Sequence, residues 1–324
     1  RLKARKPQMR FCKVFGVGDD WQSIYRFAGS DVTIFTGFEK HFGEAWQGKL
    51  QKTFRSNEVI AKLSADFIQK NPDQVDKAVS SSRPGIPKSV RVVPISTING
   101  KTAFDKACLK ILERINNFLK ERGETRKYEV LVLSRYNFNQ PSGLKNLVLS
   151  HLNVSYKTFH RSKGLEADFT VLLDVSEGIY GVPSRIEDDE LRNLVVPLPE
   201  TFPYAEERRL FYVALTRASK GAFLLHGEGR PSRFIAEIEA IAPQAIKFES
   251  VEGTALETCP SCKTGFLIER HSKKTGLSFW GCSAYPECNY IDKNKSCPNC
   301  TNGRLRRRKN KTSGQFFLAC DAYP

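Results

Sequence analysis

Phe104-Asp105-Lys106-Ala107-Cys108-Leu109-Lys110-Ile111-Leu112-Glu113-Arg114-Ile115-Asn116-Asn117-Phe118-Leu119, followed after a polar break by Tyr128-Glu129-Val130-Leu131-Val132-Leu133-Ser134, decides the fold class of this chain. Phe104, Ala107, Cys108, Ile111, Leu112, Ile115, Phe118 and Leu119 recur at helical spacing, and Gly123 stands ready as a C-cap. The second segment is short and continuously apolar, the mark of a strand buried on both faces. A helix leading into such a strand predicts an α/β fold with a parallel sheet. Phe11–Val17, Phe169–Val175 and Ala222–His226 read as further strands of the same kind. Cys12 lies in the first of them and Cys108 on the apolar helix face, where cysteine packs as a small hydrophobe.

The 324 residues suggest two or three domains, and 40% apolar residues suffice for a real core. Lys and Arg number 51 against 35 Asp and Glu, a formal charge of +16 that points to a polyanionic partner such as nucleic acid. No apolar run approaches the roughly 18 residues of a membrane helix, and Arg1–Lys6 does not lead into a signal core. The expected location is the cytoplasm, in association with the nucleoid.

Seven of the nine cysteines fall in residues 259–324. Cys259-Pro-Ser-Cys262 recurs as Cys297-Pro-Asn-Cys300, and the same offset of 38 carries Gly265, Leu267, Phe279 and Cys282 onto Gly303, Leu305, Phe317 and Cys320. Cys259, Cys262, Cys282 and Cys288 supply four thiolates in a spacing suited to tetrahedral zinc, and Cys297, Cys300 and Cys320 supply three of a second set. By this arithmetic the fourth ligand of the second set falls at position 326, so that repeat reads as truncated. Four cysteines leave no open coordination position, which makes the role structural. The tail holds twelve Lys and Arg against four acids, interleaved with Phe266, Phe279, Trp280, Tyr285, Phe316 and Phe317. Cations tracking phosphate beside rings that stack on bases suit single-stranded nucleic acid, although the rings also serve as small cores. This pattern resembles the C-terminal zinc ribbons of bacterial type IA topoisomerases, which implies DNA binding.

Gly43-Glu-Ala-Trp-Gln-Gly48-Lys49 matches a phosphate loop only superficially. Leu50 stands where Ser or Thr must reach magnesium, and no strand precedes it. Four other segments are more specific. They are Val17-Gly-Asp-Asp-Trp-Gln22-Ser-Ile-Tyr25-Arg-Phe27-Ala-Gly-Ser30, Leu50-Gln-Lys-Thr-Phe54-Arg55-Ser56, Thr158-Phe-His160-Arg-Ser-Lys-Gly-Leu-Glu166-Ala-Asp-Phe169 and Glu206-Glu-Arg-Arg-Leu-Phe-Tyr-Val-Ala-Leu-Thr-Arg217-Ala218. In content and order they resemble motifs III, IV, V and VI of the UvrD/Rep-type superfamily 1 DNA helicases, whose lobes are RecA-like P-loop folds. The resemblance implies an ATP-dependent DNA helicase or translocase with 3′-to-5′ polarity, acting on single-stranded and junction DNA with ATP and Mg2+.

By that resemblance Gln22 senses the γ-phosphate or its attacking water, and Arg55 and Arg217 are an arginine-finger pair. Arginine forks suit such duty because they pair with phosphate oxygens in fixed geometry. Phe54 would stack on adenine and Glu166 would bind the ribose hydroxyls. Tyr25, Phe27 and His160 would contact the DNA strand, whereas Ala28, standing where the family usually has Arg, offers the strand no hold. Arg208 and Arg209 read as solvated or packing residues of a helix. The Walker A and Walker B motifs belong upstream of Gly18 and are absent, so the chain as given is expected not to hydrolyse ATP. Only 20 residues separate the Leu133–Asn137 segment from Thr158, too few for a 2B insertion, and this together with the ribbons resembles the helicase IV branch. The expected organisation is the end of lobe 1A in 1–48, lobe 2A in 49–248, a linker in 249–258, and ribbons in 259–292 and 293–324. A non-catalytic zinc-ribbon DNA-binding protein with a degenerate helicase fold is the alternative. A nuclease fusion lacks an acidic cluster with a catalytic Lys after Arg217, and a topoisomerase lacks room for its catalytic domain.

Overall fold

The computed structural model describes residues 13–96, 100–186, 195–262, 265–271, 278–283, 285, 287–292, 300, 305–309, 316–320 and 322. The chain divides into two compact units, Arg1–Thr254 and Ala255–Pro324. In the first, two short helices, α1 (Thr33–Thr36) and α2 (Phe38–Phe42), precede β1 (Lys52–Asn57), α3 (Glu58–Ile68) and β2 (Ser80–Arg83). There follow β3 (Val90–Ile95), α4 (Lys101–Glu121), β4 (Tyr128–Ser134), β5 (Leu152–Thr158), β6 (Ala167–Leu173), α5 (Ala205–Leu215), β7 (Ala218–Gly227), α6 (Arg233–Ile241) and β8 (Ile246–Phe248).

Six strands form one sheet in the order β5-β4-β6-β7-β3-β8, with every pairing parallel. Alternate side chains of each strand enter opposite layers. Val130, Val132, Val171 and Leu173 pack with Ala107, Ile111, Leu112 and Ile115 of α4. Leu131, Leu133, Leu172 and Leu224 join the core formed by α3, α5 and α6 on the other face. The parallel α/β fold expected from the helix–strand pattern is therefore present. Helix α4 ends as expected: Gly123 at φ +68° donates its N–H to Lys120 O, and Glu124 donates to Leu119 O, a Schellman cap. Phe118 differs, being half exposed. Burial pushes the Cys108 thiol up, as inert packing requires.

Strand β3 carries Pro94 and was not legible as a strand. Val92 O accepts from Glu249 N, and Ile95 O accepts from Glu228 N beside β7, so Pro94 faces the side on which β8 has ended. Its missing N–H therefore breaks no ladder bond. The expected strand Phe11–Val17 is not present over its described part. Lys13–Val17 are exposed and in no strand, with no ladder partner among the described residues, because apolar residues make a strand only where a neighbour can take their backbone groups.

His226, at the end of β7, is buried, and burial lowers its imidazole to about 4. The folded value lies below the unfolded one, so this contribution to stability is full above pH 6.5 and lost as pH falls toward 4. At pH 5 the loss amounts to at most about 2 kcal/mol. An NMR titration is expected to show His226 neutral down to pH 5; a midpoint near 6.5 would contradict the assignment.

In the second unit, β9 (Glu257–Thr258), β10 (Phe266–His271), β11 (Ser278–Cys282) and β12 (Ile291–Asp292) form a four-stranded antiparallel sheet in the order β12-β11-β10-β9. A separate hairpin pairs β13 (Leu305–Lys309) with β14 (Phe316–Cys320). Leu267 opposes Cys282 in the first, and Leu305 opposes Cys320 in the second, so the 38-residue repeat is kept in the register of the strands.

Candidate functional site

The first site is a cleft of about 1350 Å³ in the first unit, lined among others by Gln22, Phe54, Arg55, Glu166, Tyr212 and Thr216. Arg55 is on β1, and the end of that strand is tied down twice. Ser56 Oγ donates to Thr216 O at 3.1 Å, and Asn57 Nδ2 donates to Ser219 O at 3.1 Å. Asn57 also caps α3 by accepting from Val59 N and Ile60 N. Glu166 follows Gly164, which takes the left-handed conformation that only glycine adopts without strain. Arg55 Nε stands 3.6 Å from Glu166 Oε2, too far for a hydrogen bond, and has no acceptor among the described residues. Phe54 presents its ring to solvent at 68% exposure.

Arg217 is placed differently from Arg55. It lies fully buried beneath the cleft and donates to Val213 O at 2.8 Å and Leu165 O at 2.9 Å. Burial, followed by the charge of Arg55, lowers its guanidinium to about 10. Two arginines thus sit together, and the charges of Asp19 and Glu166 offset their repulsion only in part, an arrangement that favours a further anion between them.

Gln22 ends the short 3-10 turn Asp20–Gln22 and donates through Nε2 to Asp19. This turn is fixed by residues that sequence reading did not single out. Lys77 Nζ lies 2.8 Å from Asp19 and 2.6 Å from the buried Asp20, and 4.8 Å from the Trp21 ring centroid. Val75 N donates to Asp20 Oδ2, and Trp21 Nε1 donates to Val75 O. Burial pulls the Lys77 ammonium down, but its hydrogen bonds to Asp19 and Asp20 outweigh this and raise it. Lys77→Met leaves Asp20 charged and unpaired in the interior, and is expected to cost about 3–5 kcal/mol in urea unfolding. A loss below about 1 kcal/mol would contradict this role.

Helix α5 holds the neighbouring elements. Arg209 Nε donates to Ser23 O at 2.6 Å and its Nη groups to Glu200, while Arg208 pairs with Glu237 and donates to Phe67 O at 3.2 Å. Both are buried packing residues, and neither is solvated. Glu206 pairs with Arg26, and Glu207 with Arg135.

Tyr25, Phe27 and His160 form a second site. Tyr25 Oη donates to His160 O at 3.2 Å, the Phe27 and His160 rings meet edge to face at 5.4 Å, and Tyr25 lies 5.8 Å from Phe27. Lys163 Nζ stands 5.1 Å from the Tyr25 ring centroid, a contact that the motif segment 158–169 does not reveal by itself. Burial, then the nearby Arg135, lowers the His160 imidazole to about 4, so near neutral pH this ring is an uncharged donor and stacking surface.

The third site is in the second unit. The sulfurs of Cys259, Cys262, Cys282 and Cys288 lie within 4.8 Å of one another. Cys259 and Cys288 are 3.9 Å apart, and Cys262 and Cys282 are 3.5 Å apart. A tetrahedron with zinc–sulfur bonds of about 2.3 Å has edges of about 3.8 Å, so the four cysteines could hold zinc. Gly265 N donates to Cys262 Sγ at 3.2 Å, a bond that favours the thiolate. In the repeat, Cys300 and Cys320 are 3.6 Å apart, while Cys297 lies outside the described residues.

Residues 136–226 match the UvrD-like helicase C-terminal domain, and residues 256–296 and 294–324 each match the topoisomerase DNA binding C4 zinc finger. DNA helicase IV of Escherichia coli (strain K12) is 33% identical over 236 residues, which cover 72% of this chain and 32% of that protein. ATP-dependent DNA helicase PcrA of Leuconostoc citreum is 37% identical over 95 residues, 26% of this chain and 11% of that protein. DNA topoisomerase 1 of Campylobacter jejuni subsp. jejuni is 56% identical over 43 residues, 13% of this chain and 6% of that protein. The chain spans about a third of the length of DNA helicase IV. No helix among the described residues is long and apolar enough to cross a membrane. A parallel α/β unit carrying the UvrD-like C-terminal domain, homologous to DNA helicases IV and II and PcrA, is here followed by topoisomerase-type zinc-finger sequence holding a four-cysteine cluster.

Proposed function

We propose that this chain is the part of an ATP-dependent DNA helicase that receives the nucleotide's phosphates and grips the tracking strand. The observation that carries the reading is Arg55 Nε, a buried guanidinium donor beside the cleft, with no acceptor among the described residues. A phosphate oxygen would satisfy it and relieve its repulsion with Arg217. Arg217 would have to exchange Val213 O and Leu165 O for that phosphate. Phe54 would lie against adenine, Glu166 would bind the ribose, and Gln22, held by Asp19, would face the phosphate or its water. Mg2+ and the phosphate-cradling loop would come from a first lobe to which residues 13–48 belong, with 49–248 forming the second. When bound, zinc would hold the Cys259–Cys288 hairpins in one shape and serve no catalytic step.

Tyr25, Phe27 and His160 would carry single-stranded DNA across the first unit in the 3′-to-5′ sense, and the basic ribbons would bind single-stranded or junction DNA. The binding is tested by fluorescence anisotropy of labelled (dT)20 over a range of salt. Removing residues 255–324 is expected to weaken binding and flatten the slope of log affinity against log salt by several units. An unaltered slope would contradict a DNA role for the ribbons.

A further inference from the structure

Three rings outside the motifs form a fixed, exposed cluster. Tyr136 and Phe138 stack at 5.2 Å with 6° between their planes, and Tyr180 meets both edge-on at 5.7 Å. Phe138 and Tyr180 are each more than half exposed, and the neighbouring Ile179 is exposed as well. Their backbone is pinned. Tyr136 O accepts from Ser134 Oγ at 2.7 Å and Tyr156 Oη at 2.9 Å, and Tyr136 Oη bonds Ser184 Oγ at 2.7 Å. On the Tyr180 side, Ser184 Oγ and Arg185 N both bond to Ile179 O. The Arg135 guanidinium lies 4.8 Å from the Tyr136 ring centroid, oriented by Glu207.

The placement of this cluster matters. His160 follows β5, Arg135 to Phe138 follow β4, and Tyr180 follows β6, three neighbouring strands of the parallel sheet. Ser134 pairs with both Thr158 and Leu173, so all three segments leave the sheet at one level, with adjacent strands about 4.8 Å apart. The Phe27–His160 pair, Arg135 and the three rings therefore succeed one another along the carboxyl ends of the strands. Exposed Arg161 and Lys163 border the His160 end.

We infer that Tyr136, Phe138 and Tyr180 form a second base-stacking step for the same unpaired DNA strand, with Phe138 and Tyr180 offering faces to successive bases beyond Phe27 and His160. Rings held rigid before binding and flanked by cations suit a flexible polyanion with flat bases, since little ordering of the protein is then required. This rests on the DNA-binding reading above and assigns it a further site.

The test compares fluorescein-labelled (dT)12 with an abasic strand of equal length, using the complete chain. Phe138→Ala and Tyr180→Ala are each expected to weaken (dT)12 binding roughly fivefold to hundredfold and to leave abasic binding unchanged. Phe138→Trp is expected to restore it, and Phe138→Leu, which keeps the apolar bulk, to lose it. If Phe27→Ala weakens (dT)12 binding and these variants do not, this inference fails while the DNA-binding reading stands. If neither the parent chain nor any variant distinguishes (dT)12 from the abasic strand, both fail. A change in sedimentation with unaltered (dT)12 affinity would make the rings a protein contact and would overturn the inference.

Discussion

Chelating the metal of the Cys259, Cys262, Cys282 and Cys288 cluster under reducing conditions is expected to unfold β9–β12 and leave the six-stranded sheet folded. Among the described residues this short antiparallel sheet buries little apolar surface beyond the cysteines themselves, Leu267 and Ile268. A core that small does not offset the entropy of ordering its residues, so the ligand bonds must supply the difference. Structural zinc contributes roughly 10–16 kcal/mol in small ribbons and fingers. Cys282→Ser removes one of the four thiolates and is expected to have the same result, because a neutral hydroxyl is a poor zinc ligand and three thiolates leave the tetrahedral site incomplete. Elemental analysis of the parent should find at least about one zinc per chain. Amide exchange in β10 and β11 should rise by orders of magnitude with chelator while β4 and β6 stay protected. Equal exchange with and without chelator would contradict a metal-dependent fold.

Much of this fold was legible, for reasons that differ between elements. Helix α4 and strand β4 announce themselves because one face of the helix and both faces of the strand are apolar. The strands expected at Phe169–Val175 and Ala222–His226 fall on β6 and β7, with ends shifted by one to four residues. Strand β5 stayed hidden because it is an edge strand with alternating exposure and four polar residues among seven, Asn153, Ser155, Lys157 and Thr158. Strand β3 stayed hidden because Pro94 argues against a strand until its missing neighbour is known. The residues of the cleft were visible as continuous motifs, each short enough to read in one stretch. Lys77 was not visible, since its meaning depends on Asp19 and Asp20, which lie 58 and 57 residues away. The Tyr136–Tyr180 contact was likewise invisible, being created only when β4 and β6 pair.

Replacing Arg55 is expected to have the largest effect on turnover. Its guanidinium has a charge partner at 3.6 Å but, among the described residues, no hydrogen-bond acceptor for Nε, so removing it disturbs little of the fold. Arginine donors that reach the transferred phosphoryl group contribute about 10³–10⁵ in rate. Arg55→Lys keeps the charge and loses the fork, and is expected to recover only a small part of the activity. Arg217 is less clean, because Arg217→Ala also removes its bonds to Val213 O and Leu165 O within the core. Arg217→Lys, checked by thermal unfolding, separates the two effects.

The decisive measurement is DNA-stimulated ATP hydrolysis by the complete gene product and its Arg55→Ala variant, with (dT)20 affinity measured alongside. A fall in kcat of at least about a thousandfold is expected, with DNA affinity unchanged within a few-fold. Hydrolysis within tenfold of the parent would show that Arg55 does not meet the phosphate, and the motor reading of this cleft would be wrong.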